Sequence, residues 1–226
     1  RVSTGGIFFD LPGIGGRSQQ DYISEADNFY QNHSSDDSVI PAILPHGSYT
    51  VSPQNLSEAK SIADQYGILF CTHAAETQAE QNDIKARYDN SVIRHLDKYK
   101  LLGETSVLAH CVHLDDTEIL LLAQSKTNVV LNPMSNLKLG SGIAPVKAMH
   151  RAEINLTIGT DGAISGNDLD MWLAMRLTCG LAKGVNMEAD ALTAEQVLHM
   201  ATINGAKALG KSCLLYTSDA ADERHC

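Results

Sequence analysis

Three short apolar runs in this chain end in residues that could bind a metal or move a proton. Residues 67–71 lead into Thr72-His73-Ala74-Ala75-Glu76, residues 106–109 into His110-Cys111-Val112-His113, and residues 155–158 into Gly159-Thr160-Asp161-Gly162. Neutral imidazole and carboxylate together suit a borderline divalent ion, and a catalytic site keeps one position open for water. Such an ion lowers the pKa of bound water from roughly 15.7 to about 7. A neighbouring carboxylate can then take and return a proton, while a second acid protonates the leaving group. His73 and Asp161 as ligands, Glu76 as proton shuttle and His110 as polarising group would fill those roles. Each also has a plainer reading. His73 could be a hydrogen-bonded rim histidine, Glu76 a helix-start acid favoured by the helix dipole, and Asp161 a turn former. Of His110 and His113 at most one belongs to a site, because strand alternation puts His110 with Val112 on one face and His113 on the other.

These groups need elements to hold them. The three runs are short and partly β-branched, as in strands buried on both faces. From residue 38 onward strand and helix alternate. A strand at 39–44 is followed by a helix opened by Ser52-Pro53, with Leu56, Ala59, Ile62, Ala63 and Tyr66 on one stripe. A polar helix is predicted at 78–88, and a second one carries Val92, Ile93, Leu96 and Tyr99 until Gly103 stops it. Asp115 and Glu118 have capping-box spacing. Beyond them the pattern predicts a strand at 128–131, a loop at 132–142 and a short helix entered through Pro145. A helix at 168–183 closed by Gly184 and a last one from Thr193, with Gln196 in capping register, complete the reading.

Five strand–helix units in succession imply parallel pairing with helical crossovers. A doubly wound sheet would also fit, but it would carry a glycine-rich phosphate loop after an early strand, and none is present. Polar groups at several strand ends favour a barrel. The expected fold is therefore α/β, a partial (β/α)8 TIM barrel comprising about the last five units, with the N-terminal strands missing. Residues 1–37 are rich in Gly, Ser, Asp and Gln, and are expected to form the tail of a third strand and a long irregular loop.

Composition narrows the partners. The 226 residues carry 17 Lys and Arg against 27 Asp and Glu, a net charge of −10, which argues against nucleic acid or an anionic membrane as partner. No apolar run approaches the ~20 residues that span a bilayer. The five cysteines (Cys71, Cys111, Cys179, Cys213, Cys226) form no CxxC pair and no disulfide framework, which points to a reducing, cytoplasmic setting. Residues 213–226, beginning Cys213-Leu214-Leu215-Tyr216-Thr217-Ser218, resemble a translated transposase adapter of sequencing libraries. They are set aside as a non-native tail, leaving 1–212 as a truncated barrel domain.

The chain resembles the amidohydrolase superfamily, in the branch of S-adenosylhomocysteine and methylthioadenosine deaminases and their triazine-hydrolase relatives. The resemblance runs from about Arg1 to Gly210. Its most specific stretch is Asn132-Pro133-Met134-Ser135-Asn136-Leu137-Lys138-Leu139-Gly140, continuing to Pro145-Val146, together with Gly159-Thr160-Asp161-Gly162. It implies a TIM barrel with one divalent metal, zinc by preference and iron as the alternative. His73 would bind the metal, and Asp161 would bind it and take the water's proton. Glu76 would be the proton shuttle and, with His110 at the reacting centre, would contact substrate. His46, in Pro45-His46-Gly47-Ser48-Tyr49, falls where the family places a substrate-ring contact, or is a loop histidine near a helix cap. Arg1 falls where the family uses an arginine near the substrate's carboxylate end, whereas Ile14 stands where homocysteine-recognising members have a second one.

The reaction implied is hydrolytic deamination of a purine nucleoside-like or related heterocycle, releasing ammonia. The alternatives are a triazine-type or guanine-type hydrolase of the same superfamily, or a non-catalytic fragment. Leu131-Asn132-Pro133, where guanine deaminases tend to have His-Cys-Pro, argues against guanine. The family's first strand ends in His-x-His, and no two of this chain's nine histidines are spaced by two. The chain alone is therefore expected to bind metal weakly and to be inactive. A small heterocyclic substrate is the expected partner, and the resemblance allows a homo-oligomer.

Overall fold

A computed structural model describes residues 2–10, 16–36 and 38–211; Arg1, Ile14 and the expected tail at 213–226 lie outside the described residues. The chain runs β1 (Val2–Phe8), α1 (Gln19–His33), β2 (Val39–Pro45), α2 (Pro53–Tyr66), β3 (Leu69–Ala74), α3 (Gln78–Tyr88), α4 (Val92–Lys98), β4 (Ser106–His110) and α5 (Asp116–Gln124). It continues through β5 (Asn128–Leu131), α6 (Pro133–Lys138), α7 (Val146–Arg151), β6 (Leu156–Ile158), α8 (Ala163–Gly166), α9 (Met171–Asn186), α10 (Ala194–Ala201) and α11 (Ile203–Ala208). The six strands form one sheet in sequence order, and every neighbouring pair is parallel. A parallel pair needs a crossover, and a helix lies between each strand and the next.

Three boundaries differ from the sequence reading. Within 1–37 the expected strand tail is the seven-residue β1, and part of the expected irregular loop is a fifteen-residue helix, so the described residues hold a sixth strand–helix unit ahead of the five. Ser18 caps α1 and closes a capping box with Asp21, but of its residues only Tyr22 and Ala26 are buried. So thin an apolar stripe hides a helix from periodicity. Gly6 explains the packing: a Cβ there would lie 2.6 Å from the Ala26 Cβ, so α1 rests directly on β1. The loop expected at 132–142 contains α6, entered through Pro133 at its first turn. The helix expected at 168–183 is α9, capped by Asp170 and ended by Met187 in the left-handed region, with Gly184 inside it.

Other local signals fold as their chemistry directs. Ser52, Asp115 and Thr193 cap α2, α5 and α10, each accepting a backbone N–H from the third residue on. The sheet's outer face carries Phe8, Ile43, Phe70, Leu108, Val129 and Leu156, which pack with helix residues such as Tyr22, Leu56, Ile84 and Leu122 into the main core. The inner face holds a small separate cluster of Ala42, Leu69 and Val107, flanked by partly buried Leu44, Cys71 and Val130. The expectation of strands buried on both faces holds for β6 and for most of β4, whereas Leu44, Cys71 and Val130 leave the inner face of β2, β3 and β5 only partly covered. Among the described residues no helix is long and apolar enough to cross a membrane.

Candidate active site

The chemistry-bearing side chains gather where the strands end. β3 delivers His73, the turn after it delivers Glu76, β4 ends at His110, and the residue after β2 is His46. The turns after β3, β4 and β6 bend through non-glycine residues in the left-handed region: Ala75 (φ 51°), His110 (φ 76°) and Cys111 (φ 48°), and Asp161 (φ 60°). Such conformations cost of order 1 kcal/mol or more and persist where the surroundings dictate them. They also correct the strand-alternation argument for residues 110–113. The strand stops at His110, and the left-handed turn swings its ring towards His73 instead of the face that alternation would assign.

The backbone locks the turns together. The Ala75 carbonyl accepts N–H bonds from Val112 (2.9 Å) and His113 (3.0 Å), and the Ala74 carbonyl accepts from Cys111 (3.0 Å). Glu80, buried in α3, accepts the Glu76 N–H at 2.8 Å and lies 3.4 Å from the Ser48 hydroxyl, which donates to it. Burial pushes the Glu80 carboxyl above its ordinary range.

Within this frame the rings stack in a row. His46 and His73 have centroids 4.8 Å apart in an edge-on arrangement, and His73 and His110 lie 5.4 Å apart, nearly parallel. The carbonyl of His46 accepts both the backbone N–H (3.1 Å) and the Nδ1–H (2.5 Å) of His73. With Nδ1 so committed, the Nε2 of His73 keeps its lone pair free, the arrangement in which an imidazole ligates a metal. Thr50 donates its hydroxyl to the Gly47 carbonyl, which leaves its oxygen to accept from Nδ1 of His46 at 2.8 Å. The Nε2 of His110 lies 3.8 Å from a Glu76 carboxylate oxygen, and its Nδ1 lies 2.8 Å from Asn136 Oδ1.

Burial depresses the basicity of both His46 and His110. The charge of His73 adds to this effect on each, and the Glu76 carboxylate opposes it. Tyr49, whose ring meets His46 edge-on, is held protonated, its hydroxyl pushed up to about 12 by burial and by the Glu76 and Glu80 charges.

The structure therefore brings His46, His73, Glu76 and His110 together. Asp161, in the turn after β6, is near enough for its charge to act on His110, while one of its oxygens accepts the Gly162 N–H at 2.6 Å. His113 points elsewhere, its Nε2 2.8 Å from the Ser141 carbonyl. Sequence reasoning missed Asn136 and Glu80 as partners of the site. Asn136 sat inside the most specific motif without a role, and Glu80 follows Glu76 by one helical turn. Among the described residues no group of three or more His, Cys, Asp and Glu is placed to hold a metal. The donor chemistry of His73 and Asp161 suits a divalent ion; the number of donors falls short of a closed coordination shell.

A parallel α/β sheet with imidazoles and carboxylates gathered at the C-terminal ends of its strands has the layout of an enzyme site built on strand-to-helix turns. The amidohydrolase family profile matches residues 15–213, and the chain belongs to this family. It is 44% identical over 179 residues to a 5-methylthioadenosine/S-adenosylhomocysteine deaminase of Moorella thermoacetica, covering 79% of this chain and 42% of that protein. It is 42% identical over 172 residues to a 5'-deoxyadenosine deaminase of Methanosphaera stadtmanae, covering 76% and 40%. A zinc-bound adenosine deaminase from Xanthomonas campestris superposes with a TM-score of 0.89 at 37% identity, over 92% of this chain and 47% of that one. A mutant of atrazine chlorohydrolase from Arthrobacter aurescens, complexed with zinc and atraton, shares the fold, with a TM-score of 0.85 at 21% identity over 92% and 49%. The chain thus spans less than half the length of each of these proteins.

Proposed function

We propose that this chain is part of a (β/α)8 barrel whose whole deaminates a purine nucleoside-like substrate of the adenosine, methylthioadenosine or S-adenosylhomocysteine type. The reaction exchanges an exocyclic amine for oxygen and releases ammonia. The observation that carries it is the row His73–His110–Glu76 at adjacent strand ends, with His73 presenting a free Nε2. His73 and Asp161 would hold a divalent ion, zinc by preference with iron as the alternative, which supplies an acidified water when bound.

The remaining roles belong to the chain's own residues. Glu76 delivers a proton from its carboxyl to the ring nitrogen beside the reacting carbon. His110, through Nε2, steadies the attacking oxygen. Asp161 takes one proton from the water and passes it to the departing amine, and the proton left on the added oxygen returns to the Glu76 carboxylate as the carbonyl forms, so that water plus amine becomes carbonyl plus ammonia. His46 presents an imidazole edge to the substrate ring, backed by Phe9 at 4.8 Å and Tyr49 at 5.3 Å. Arg1 is assigned the tail of the substrate on resemblance alone.

A chimera tests this, with residues 16–211 replacing the aligned half of the Xanthomonas campestris enzyme. Ammonia should be released from adenosine-type nucleosides, and Glu76→Gln should cut the rate by about 10²–10⁴-fold. Release from guanine or an aminotriazine alone would move the assignment to those alternatives. A folded, metal-loaded chimera that frees no ammonia from any amine-bearing heterocycle would sink it. The short donor set supports a companion proposal, that the 226-residue chain by itself binds metal weakly and does not turn over. Stoichiometric zinc with ammonia release from that chain would overturn it.

A further inference from the structure

We propose that Asn136 is a positioning residue for His110, holding its imidazole in the Nδ1–H tautomer so that the lone pair of Nε2 faces Glu76 and the reacting centre. The inference rests on the reading that His110 acts there. Both partners are buried, His110 1% and Asn136 3% exposed, and Nδ1 lies 2.8 Å from the amide oxygen Oδ1. An amide oxygen only accepts, so Nδ1 must carry the proton, and the hydrogen bond made by one ring nitrogen sets the state of the other. In water the opposite tautomer is the commoner one, so an unassisted His110 would turn an N–H, not a lone pair, towards Glu76.

The geometry of α6 makes Asn136 a rigid support. Its backbone N–H donates to the Asn132 carbonyl at 3.0 Å, and its own carbonyl accepts from Ser141 at 2.8 Å. The same short helix also reaches the end of β6. A Cβ on Gly159 would lie 2.7 Å from Asn132 Oδ1, so that glycine lets Asn132 close against the strand that leads to Asp161. The Asn132-to-Asn136 motif thus spans two site-bearing strand ends, one by contact and one by a hydrogen bond.

The tautomer can be read directly from imidazole nitrogen resonances in the 226-residue chain labelled with 15N-histidine at mildly alkaline pH. Disappearance of its signals in His110→Gln assigns His110. The unaltered chain should show a protonated Nδ1 and a bare Nε2. Asn136→Leu, similar in size but without an acceptor, should move the tautomer ratio about tenfold towards Nε2–H, and Asn136→Asp, which keeps an acceptor, should restore it. An Nε2–H tautomer in the unaltered chain overturns the proposal. So does an unchanged ratio in Asn136→Leu with the His95 signals intact. Should Asn136→Leu not fold, the unaltered chain and Asn136→Asp decide, and loss of the Nδ1–H form in the latter counts against it. The readout uses no turnover, so failure of the deaminase reading and failure of this one are seen separately.

Discussion

The two faces of the sheet are made of similar residues and live in different surroundings. On the outer face Phe8, Phe70 and Leu108 are fully buried beneath helices. On the inner face Leu44, Cys71 and Val130 are only partly covered, and with Ile7, Val107 and Ala109 they line an open concavity of about 490 Å³. Apolar character alone therefore does not say which face is sealed. Burial on the outer face holds the fold, while the inner face ends at His46 and His73, where partly exposed imidazoles meet an apolar wall. Stability and chemistry are segregated by a single alternation along each strand.

The largest expected effect tests that segregation like for like. Leu108→Ala on the outer face should cost about 2–5 kcal/mol, because it removes a fully enclosed side chain and leaves a cavity. Leu44→Ala on the inner face should cost about 1 kcal/mol, since solvent already reaches it. Urea unfolding of the two variants decides; equal losses would mean that the inner face is as sealed as the outer one.

The same contrast explains what could be read from the residues alone. Runs such as 67–71 and 106–109 announce strands because outer and inner positions are both apolar, and the caps at Ser52, Asp115 and Thr193 mark helix starts with a local hydrogen bond. His73 and Glu76 stand out because polar groups at a strand tip have no packing explanation. The orientation of His110 was not legible, for alternation ends where its φ turns positive. Asn136 was not legible as a partner either: the bond to His110 joins residues 26 apart in sequence and depends on a six-residue helix that propensity does not announce. α1 escaped for want of apolar residues, its burial being confined to Tyr22 and Ala26.

The outer layer buries a histidine without a partner, and pH should expose it. His95 in α4 is fully buried between the rings of Tyr88 and Tyr99, and neither of its nitrogens has a hydrogen-bond partner. Burial, helped by Lys98, pulls its pKa below the ordinary 6.5. Between that lowered value and 6.5 the unfolded chain binds the proton that the folded chain refuses. Stability is therefore present above about pH 6.5 and is lost as pH falls through the window beneath it, by at most about 1.4 kcal/mol per pH unit for one group. His46 and His110 shift the same way, so the contribution of His95 is isolated by comparison with His95→Phe. The variant should lose less stability between pH 6.5 and lower values. Parallel curves for the two proteins would remove His95 from the account.

The smallest effect concerns the edge of the outer layer. α1 packs on β1, whose other edge has no strand neighbour among the described residues, and its start depends on the reciprocal Ser18–Asp21 box. The Ser18 hydroxyl oxygen accepts the Asp21 N–H, and the Asp21 carboxylate accepts the Ser18 N–H at 2.7 Å. Ser18→Ala removes one of these bonds and should cost about 1 kcal/mol. Because α1 buries so little, the loss should appear as faster hydrogen exchange within 19–33 while the amides of β3 and β4 stay protected. If exchange accelerates equally in β3 and β4, α1 and the central strands open as one unit, and the outer layer is uniformly cooperative instead of grading towards its edge.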